Sequence, residues 1–319
     1  MIQFIESKNI DKVKWNHCIG NSINSLLYAY SWYMDVVCED WAALVENDYE
    51  SVMPLAYRRK FGIHYIYPPI FIQQLGIFSM VLLDDEISDR FLKAIPKKFR
   101  FIEYNLNSYN QIDNKKHKIK NNVNHLLDLI INYEAIAKNY SENLKRNLKK
   151  ANKTGVNISQ NIKPEDIIEI FSKNKGKEIN KFGINEYAIL KKLTYIGIHK
   201  GYIQTYGAYT IQNELCAGAI FAVDKQRAIF LFSATNKVSK NLFAMPLLID
   251  NFIKNNAEKN IVLDFEGSND ENLARFYKSF GSKTVNYNTL HINKLPFYIK
   301  IGVFFIKRIR NFVWLRNIN

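Results

Sequence analysis

The chain has 319 residues, 47% hydrophobic and 23% charged, with 44 Lys and Arg against 30 Asp and Glu. This near-globular balance excludes a disordered, collagenous or fibrous chain, and the length suggests about two domains. The net charge of +14 favours polyanionic partners, namely nucleic acid, acidic lipid or phosphorylated small molecules, although a solvated Lys- and Asn-rich surface explains it equally.

Only 13 glycines are present, and neither G-x-G-x-x-G nor G-x-x-x-x-G-K-[ST] occurs, so a Gly-rich phosphate cradle is not expected. Cys18, Cys38 and Cys216 are scattered and odd in number, which points to a reducing, cytoplasmic setting. The N-terminus lacks a basic segment followed by an apolar one. No apolar run reaches the ~18 residues of a membrane span. The six histidines show no ligand spacing, so no metal is expected.

In chain order, Leu26 to Cys38 reads as a helix with Ser25 as its cap. Trp41 to Val45 and Ser51 to Arg58 read as a hairpin, and His64 to Tyr67 as a short strand stopped by Pro68-Pro69. A helix follows over Asp84 to Ile95, then a strand over Phe99 to Leu106 and a polar, basic stretch over Asn107 to Asn122. The second half repeats this order. It opens on a long basic helix, Tyr133 to Lys153, and two more helices, Pro164 to Ser172 and Asn185 to His199. Three strands come next, Tyr202 to Thr210, Leu215 to Val223 and Ala228 to Ser233, joined by hairpin-length turns. Then come a helix (Lys240 to Asn255), a strand (Ile261 to Phe265), a helix (Asp270 to Phe280) and a last strand (Val285 to Ile292).

The most informative stretch runs from Leu263 to Gly281. Strand alternation delivers Asp264 and Glu266 to one face. Ser268 with Glu271 forms an S-x-x-E capping box. Leu273, Tyr277 and Phe280 then share one helix face, a pattern that simple core packing also explains. Arg146, Lys149 and Lys150 lie along the basic helix, as solvated surface or as an anion clamp. Tyr57-Arg58-Arg59-Lys60 closes a strand, so Arg58 and Arg59 are either surface or a grip on an acidic acceptor. Gln73 and Gln74 interrupt an apolar run, as turn formers or as polar lining of a cleft.

Asn272 through Gly281 resembles the N-x-x-A-x-x-[FL]-Y-x-x-x-G segment of the GNAT acyltransferase superfamily. The wider order of blocks resembles the FemABX group, whose members carry two GNAT-like domains in tandem. The blocks are Trp41 to Phe61, Phe71 to Gly76, Tyr140 to Ala151, Phe232 to Thr235, Ala244 to Leu248 and Asp264 to Ser268. The resemblance implies a mixed α/β (α+β) fold of two GNAT-like domains, residues 1–128 and 129–293, followed by a tail over 294–319. Each domain would hold a central mixed, largely antiparallel sheet flanked by helices.

The resemblance also implies a chemistry. A thioester-activated acyl group would pass to an amine, with Glu266 as base, Asp264 as second candidate and Tyr277 protonating the departing thiolate. Ser233, Ala234, Thr235, Lys237, Lys240 and Asn272 would bind the donor, an acyl-CoA or an acyl carrier protein. Members that use aminoacyl-tRNA tend to show Phe-Lys where this chain has Phe276-Tyr277, and often carry a long helical arm that has no counterpart here. These departures make tRNA the lesser expectation. The run Thr235 to Asn241 contains no glycine, unlike the usual pyrophosphate loop, which keeps a non-catalytic binding protein among the alternatives. On this resemblance the acceptor would be a small-molecule or lipid-linked amine, and a peptidoglycan precursor in the tRNA alternative.

The tail is basic and aromatic, with six Lys or Arg and no acid over residues 294–319. Drawn as a helix it sets Lys300, Lys307, Arg308 and Arg310 opposite Ile301, Phe305, Ile309 and Phe312. This is the pattern of an interfacial helix on anionic lipid, which would place a cytoplasmic protein at the inner membrane face. Packing of the same stripe on the protein itself is the alternative.

Overall fold

The computed structural model describes residues 1–113, 116–177, 182–267 and 269–297. The first half comprises β1 (Ile2–Glu6), α1 (Lys12–Asn21), α2 (Ser31–Val37), β2 (Asp40–Glu46), β3 (Ser51–Lys60), β4 (Ile63–Ile66), β5 (Phe78–Ser79), α3 (Asp85–Ala94), β6 (Phe99–Asn105) and β7 (Ile119–Asp128). The second comprises α4 (Tyr133–Lys138), α5 (Glu142–Lys153), β8 (Asn157–Gln160), α6 (Pro164–Lys173), α7 (Ile184–His199), β9 (Ile203–Tyr209), β10 (Leu215–Val223), β11 (Arg227–Thr235), α8 (Lys237–Leu242), α9 (Ala244–Asn256), β12 (Val262–Gly267), α10 (Glu271–Lys278) and β13 (Lys283–Asn293).

The two halves do not keep separate sheets. All strands join one sheet in the order β1-β2-β3-β4-β6-β13-β7-β12-β11-β10-β9-β8, with β5 paired to β3. Each half is an antiparallel meander ending in one parallel pair with a helical crossover, β4 with β6 and β11 with β12. The halves then exchange their last strands. β7 closes the second half on β12, β13 closes the first on β6, and the two pair with each other from Lys283↔Leu126 to Leu290↔Ile119. The exchanged strands therefore interleave the two halves in space.

One hydrophobic core runs through the first half and on beneath α6 and α7 of the second. A second core lies on the opposite face of the second half, under α5, α9 and α10. α5 shows how sequence builds that packing. Ser141 accepts a hydrogen bond from the Leu144 N–H at 3.2 Å, and Leu144, Leu148 and Ala151 face inward while its cations face outward.

Several elements differ from the sequence reading. The long basic helix is two helices, because Ser141 takes an extended conformation and spends its hydroxyl on the cap of α5. The helix after β11 is also broken, by Phe243 in the left-handed region. The segment over Leu26 to Cys38 is a 3-10 turn followed by α2, with Tyr30 extended between them. The polar stretch ending at Asn122 contains the start of β7, and α1 carries too weak an apolar stripe to stand out. Ser268 and the tail over 298–319 lie outside the described residues. Asp270 caps α10 instead, its carboxylate accepting from the N–H groups of Asn272 and Leu273 at 2.9 and 3.0 Å.

Candidate active site

The two parallel pairs end differently. In the first half β4 and β6 pair as far as Ile66↔Ile102, and the loop over 67–76 then fills the gap beyond them. Its Leu75 donates to the Asn105 carbonyl at 2.9 Å and accepts from Asn107 N–H at 2.8 Å. In the second half β11 and β12 pair only from Arg227↔Val262 to Ile229↔Asp264. Past that point the strands splay without further backbone pairing among the described residues.

A β-bulge stands on each wall of this splay. On β11, Ile220↔Phe232 is followed by Phe221↔Phe230, so Leu231 is an extra, unpaired residue. On β12, Asp264↔Leu126 and Gly267↔Asn124 bracket the pair Phe265 and Glu266 opposite the single residue His125. Glu266 has φ +60°, a conformation rarely taken by a non-glycine residue. Bulges redirect side chains and free backbone N–H groups, which suits a reaction centre.

Asp264 and Glu266 form the centre of a polar cluster. Asp264 is 1% exposed and receives three hydrogen bonds, from Arg227 Nη1 at 2.8 Å, Asn124 Nδ2 at 2.9 Å and the Glu266 N–H at 2.8 Å. Glu266 remains partly accessible, and its Oε1 accepts a short hydrogen bond from the Tyr28 hydroxyl of the first half. Burial and the neighbouring Asp264 charge raise the Glu266 carboxyl to about 8, against the acidifying hydrogen bond from Tyr28. Tyr33 packs edge-on against Tyr28 and donates to the Phe71 carbonyl at 2.6 Å.

The loop that closes the first half also reaches this cluster. A Cβ on Gly267 would stand 2.6 Å from Gln73 Nε2 and 3.2 Å from the Tyr287 hydroxyl, so those two side chains crowd the residue after Glu266. Tyr287 is raised to about 12 by burial and by the charges of Glu266 and Asp264, opposed by its hydrogen bond with Gln73. Gln74 is buried and donates to Gln73 Oε1 at 2.6 Å.

Tyr277 approaches from the other side of β12. It is 8% exposed, belongs to the second core and stacks on Phe265 at 4.8 Å. Burial and the Glu266 charge raise its hydroxyl pKa. His125, 6.2 Å away ring to ring, is fully buried with neither ring nitrogen partnered among the described residues. Burial and then Lys278 lower its pKa.

Among the described residues, the remaining candidates share no hydrogen bond or ion pair with the carboxylates. Ser233 and Thr235 are partly exposed at the end of β11, with Ala234 buried between them. Lys237 and Lys240 are exposed on α8, and Asn272 is exposed in the first turn of α10. Arg146 and Lys149 line the outer face of α5, where Lys150 reaches the Phe243 ring at 5.8 Å. Arg58 pairs with Glu39 at 3.3 Å and lies over Tyr67, on β3 with Arg59. The structure thus brings together Asp264, Glu266, Gln73 and Gln74. Sequence reasoning missed Tyr28, Arg227, Asn124, Tyr287 and His125. Only the spacing of polar residues along 122–125 gave any hint of a functional strand there.

No protein-family model and no curated protein matches the sequence. Solved structures do match the fold. FemX superposes with a TM-score of 0.67 and 12% identity, over 94% of this chain and 99% of that one. L-PGS from Bacillus licheniformis gives 0.56 and 10%, over 91% and 94%. A conserved Bacteroides thetaiotaomicron protein of unknown function gives 0.54 and 11%, over 91% and 100%. The chain therefore shares the mixed α/β fold of FemX, as the FemABX resemblance implies.

Proposed function

We propose that the protein is an N-acyltransferase that moves an acyl group from a thioester to an amine. The observation that carries this reading is the juxtaposition at the β11–β12 splay. A carboxyl raised to about 8 stands on one side of β12 and a buried tyrosine on the other, with an unpaired backbone segment at Leu231 between the strands.

The reaction balances on these groups. The acceptor amine attacks the thioester carbonyl, and the Glu266 carboxylate takes the amine proton. Backbone N–H groups near Leu231 hold the developing oxyanion. The C–N bond forms, the C–S bond breaks, and Tyr277 gives its hydroxyl proton to the leaving thiolate. Asp264 orients the Glu266 backbone and is itself held by Arg227.

The donor is an acyl-CoA or an acyl carrier protein. Lys237 and Lys240 lie on α8 just past β11, Lys150 of α5 reaches Phe243 beside them, and Arg146 and Lys149 are exposed on α5; these cations suit its phosphates or acidic surface. The acceptor is a small-molecule or lipid-linked amine. No helix among the described residues is long and apolar enough to cross a membrane.

A second reading, tRNA-dependent aminoacyl transfer onto a peptidoglycan precursor, has the same exposed cations in its favour. The third, a GNAT-fold binding protein without catalysis, has in its favour the glycine-free run before α8. One experiment separates the three. The protein is incubated with acetyl-CoA, a longer acyl-CoA, an acylated carrier protein and a charged tRNA, each with a mixture of primary amines. Thiol release with a new amide supports the proposal, transfer from tRNA alone supports the second reading, and absence of product from every donor supports the third.

A further inference from the structure

Four adjacent strands of the sheet, β3, β4, β6 and β13, end along one edge. Lys60 at the end of β3 faces Ile63 at the start of β4. β4 and β6 start together at His64↔Phe99, and β13 ends at Asn293↔Phe101. At the usual strand spacing this rim is about 14 Å wide.

The rim is basic. Arg59 and Lys60 of β3, Lys97, Lys98 and Arg100 at the start of β6, and Lys294 after β13 are exposed. On the neighbouring ends of β1 and β2, Glu6 pairs with Lys8 and Glu39 with Arg58, both at 3.3 Å, and Asp40 stands opposite Tyr57. These contacts leave the edge with an excess of positive charge.

At the corner of the rim the β3–β4 turn is Phe61-Gly62, with φ +51° and +76°. Two central residues at positive φ make the tight hairpin turn that Asn-Gly ordinarily supplies. A bulky side chain is strained in that conformation. Phe61 buries almost nothing in return: it is 85% exposed, with the Lys60 ammonium 5.5 Å from its ring. Strain kept at an exposed position points to function rather than to packing. Phe297, three residues beyond Lys294, is also exposed.

We propose that this rim docks on a membrane surface rich in anionic lipid, with Phe61 entering the headgroup–acyl boundary and the cations meeting lipid phosphates. Charge complementarity draws the two surfaces together. A nucleic acid would meet the same cations, but it stacks on aromatic rings set along a basic groove. Phe61 instead stands in a turn past the strand ends, as a residue that inserts into an interface does. The chain leaves β13 on this same rim, where Lys294 N–H donates to the Arg100 carbonyl at 2.7 Å. The hairpin and the basic tail can therefore engage one bilayer, and each contact is weak without the other. The surface is independent of the acyl-transfer chemistry.

The test uses the full chain with Phe61→Cys labelled by an environment-sensitive fluorophore. Cys18, Cys38 and Cys216 are buried, so the label goes to residue 61. Val13→Cys is the control: Val13 is exposed, and its neighbour Lys14 pairs with Asp48 in the turn at the opposite end of β3. The probes are vesicles of equimolar phosphatidylglycerol and phosphatidylcholine, vesicles of phosphatidylcholine alone, and tRNA. The expected result is a blue shift at residue 61 with the anionic vesicles, smaller at high salt, and none at residue 13 or with phosphatidylcholine. Unlabelled Phe61→Asn, which suits the turn, should keep at least the wild-type melting temperature and bind anionic vesicles about tenfold more weakly. Lys60→Gln combined with Lys97→Gln should weaken binding and flatten its salt dependence. No shift at residue 61, a shift with tRNA but not with vesicles, or unchanged vesicle binding in Phe61→Asn would overturn the proposal. Pelleting of the full chain without a shift at residue 61 would leave the tail as the lipid contact and remove the rim.

Discussion

The Tyr28 hydroxyl is hydrogen bonded to Glu266, a residue 238 positions away in the chain. The pair joins the first half of the protein to the strand end that carries the candidate base. It also sets the ionisation of that base, because the hydrogen bond favours the charged carboxylate while burial and Asp264 oppose it.

Activity should therefore rise with pH through about 8, as Glu266 loses its proton. In Glu266→Gln that rise should vanish and kcat should fall by roughly 10²–10⁴. Tyr28→Phe should move the rise to higher pH, since the carboxylate loses a donor. Steady-state rates between pH 6 and 10 decide this, and an unshifted profile in Tyr28→Phe would remove Tyr28 from the mechanism.

The same shift has a consequence for stability. A carboxyl that binds its proton more tightly when folded than when unfolded gives stability that is lost as pH rises from the ordinary carboxylate range to about 8. Urea midpoints should fall over that window in the wild type and fall less in Glu266→Gln.

Tyr277→Phe keeps the ring on Phe265 and removes only the hydroxyl. We expect kcat to fall by roughly 10²–10⁴ with the melting temperature almost unchanged. An unchanged rate would make Tyr277 a core residue only.

Arg227→Met strands the Asp264 carboxylate, which is 1% exposed. Breaking such a pair should cost about 3–5 kcal/mol of unfolding free energy in urea. Adding Asp264→Asn should recover part of that loss, because the uncompensated charge is gone.

The chain leaves β13 beside Arg100, whose carbonyl accepts from Lys294 N–H at 2.7 Å. If the basic tail binds lipid, the full chain should pellet with anionic vesicles, less so at high salt. A chain ending at residue 295 should then stay in the supernatant with an unchanged melting temperature. Loss of folding on truncation, or no pelleting of the full chain, would end the membrane proposal.

The sequence by itself determined the parts governed by local chemistry. Alternating residues around Asp264 and Glu266 read as a strand, the following helix carried Tyr277 at its inward spacing, and the repeated order of elements implied two related halves. Tertiary structure decided the rest. The start of β7 reads as the end of a polar, basic stretch that runs to Asn122, and the structure gives Asn122 and Asn124 their cross-strand partners, Thr289 and Asp264. The exchange of β7 and β13, the bulges at Leu231 and Glu266, and the meeting of Tyr28 with Glu266 depend on register between segments far apart in the chain. No local propensity encodes such register. It follows from which faces can be buried together once both halves share one sheet.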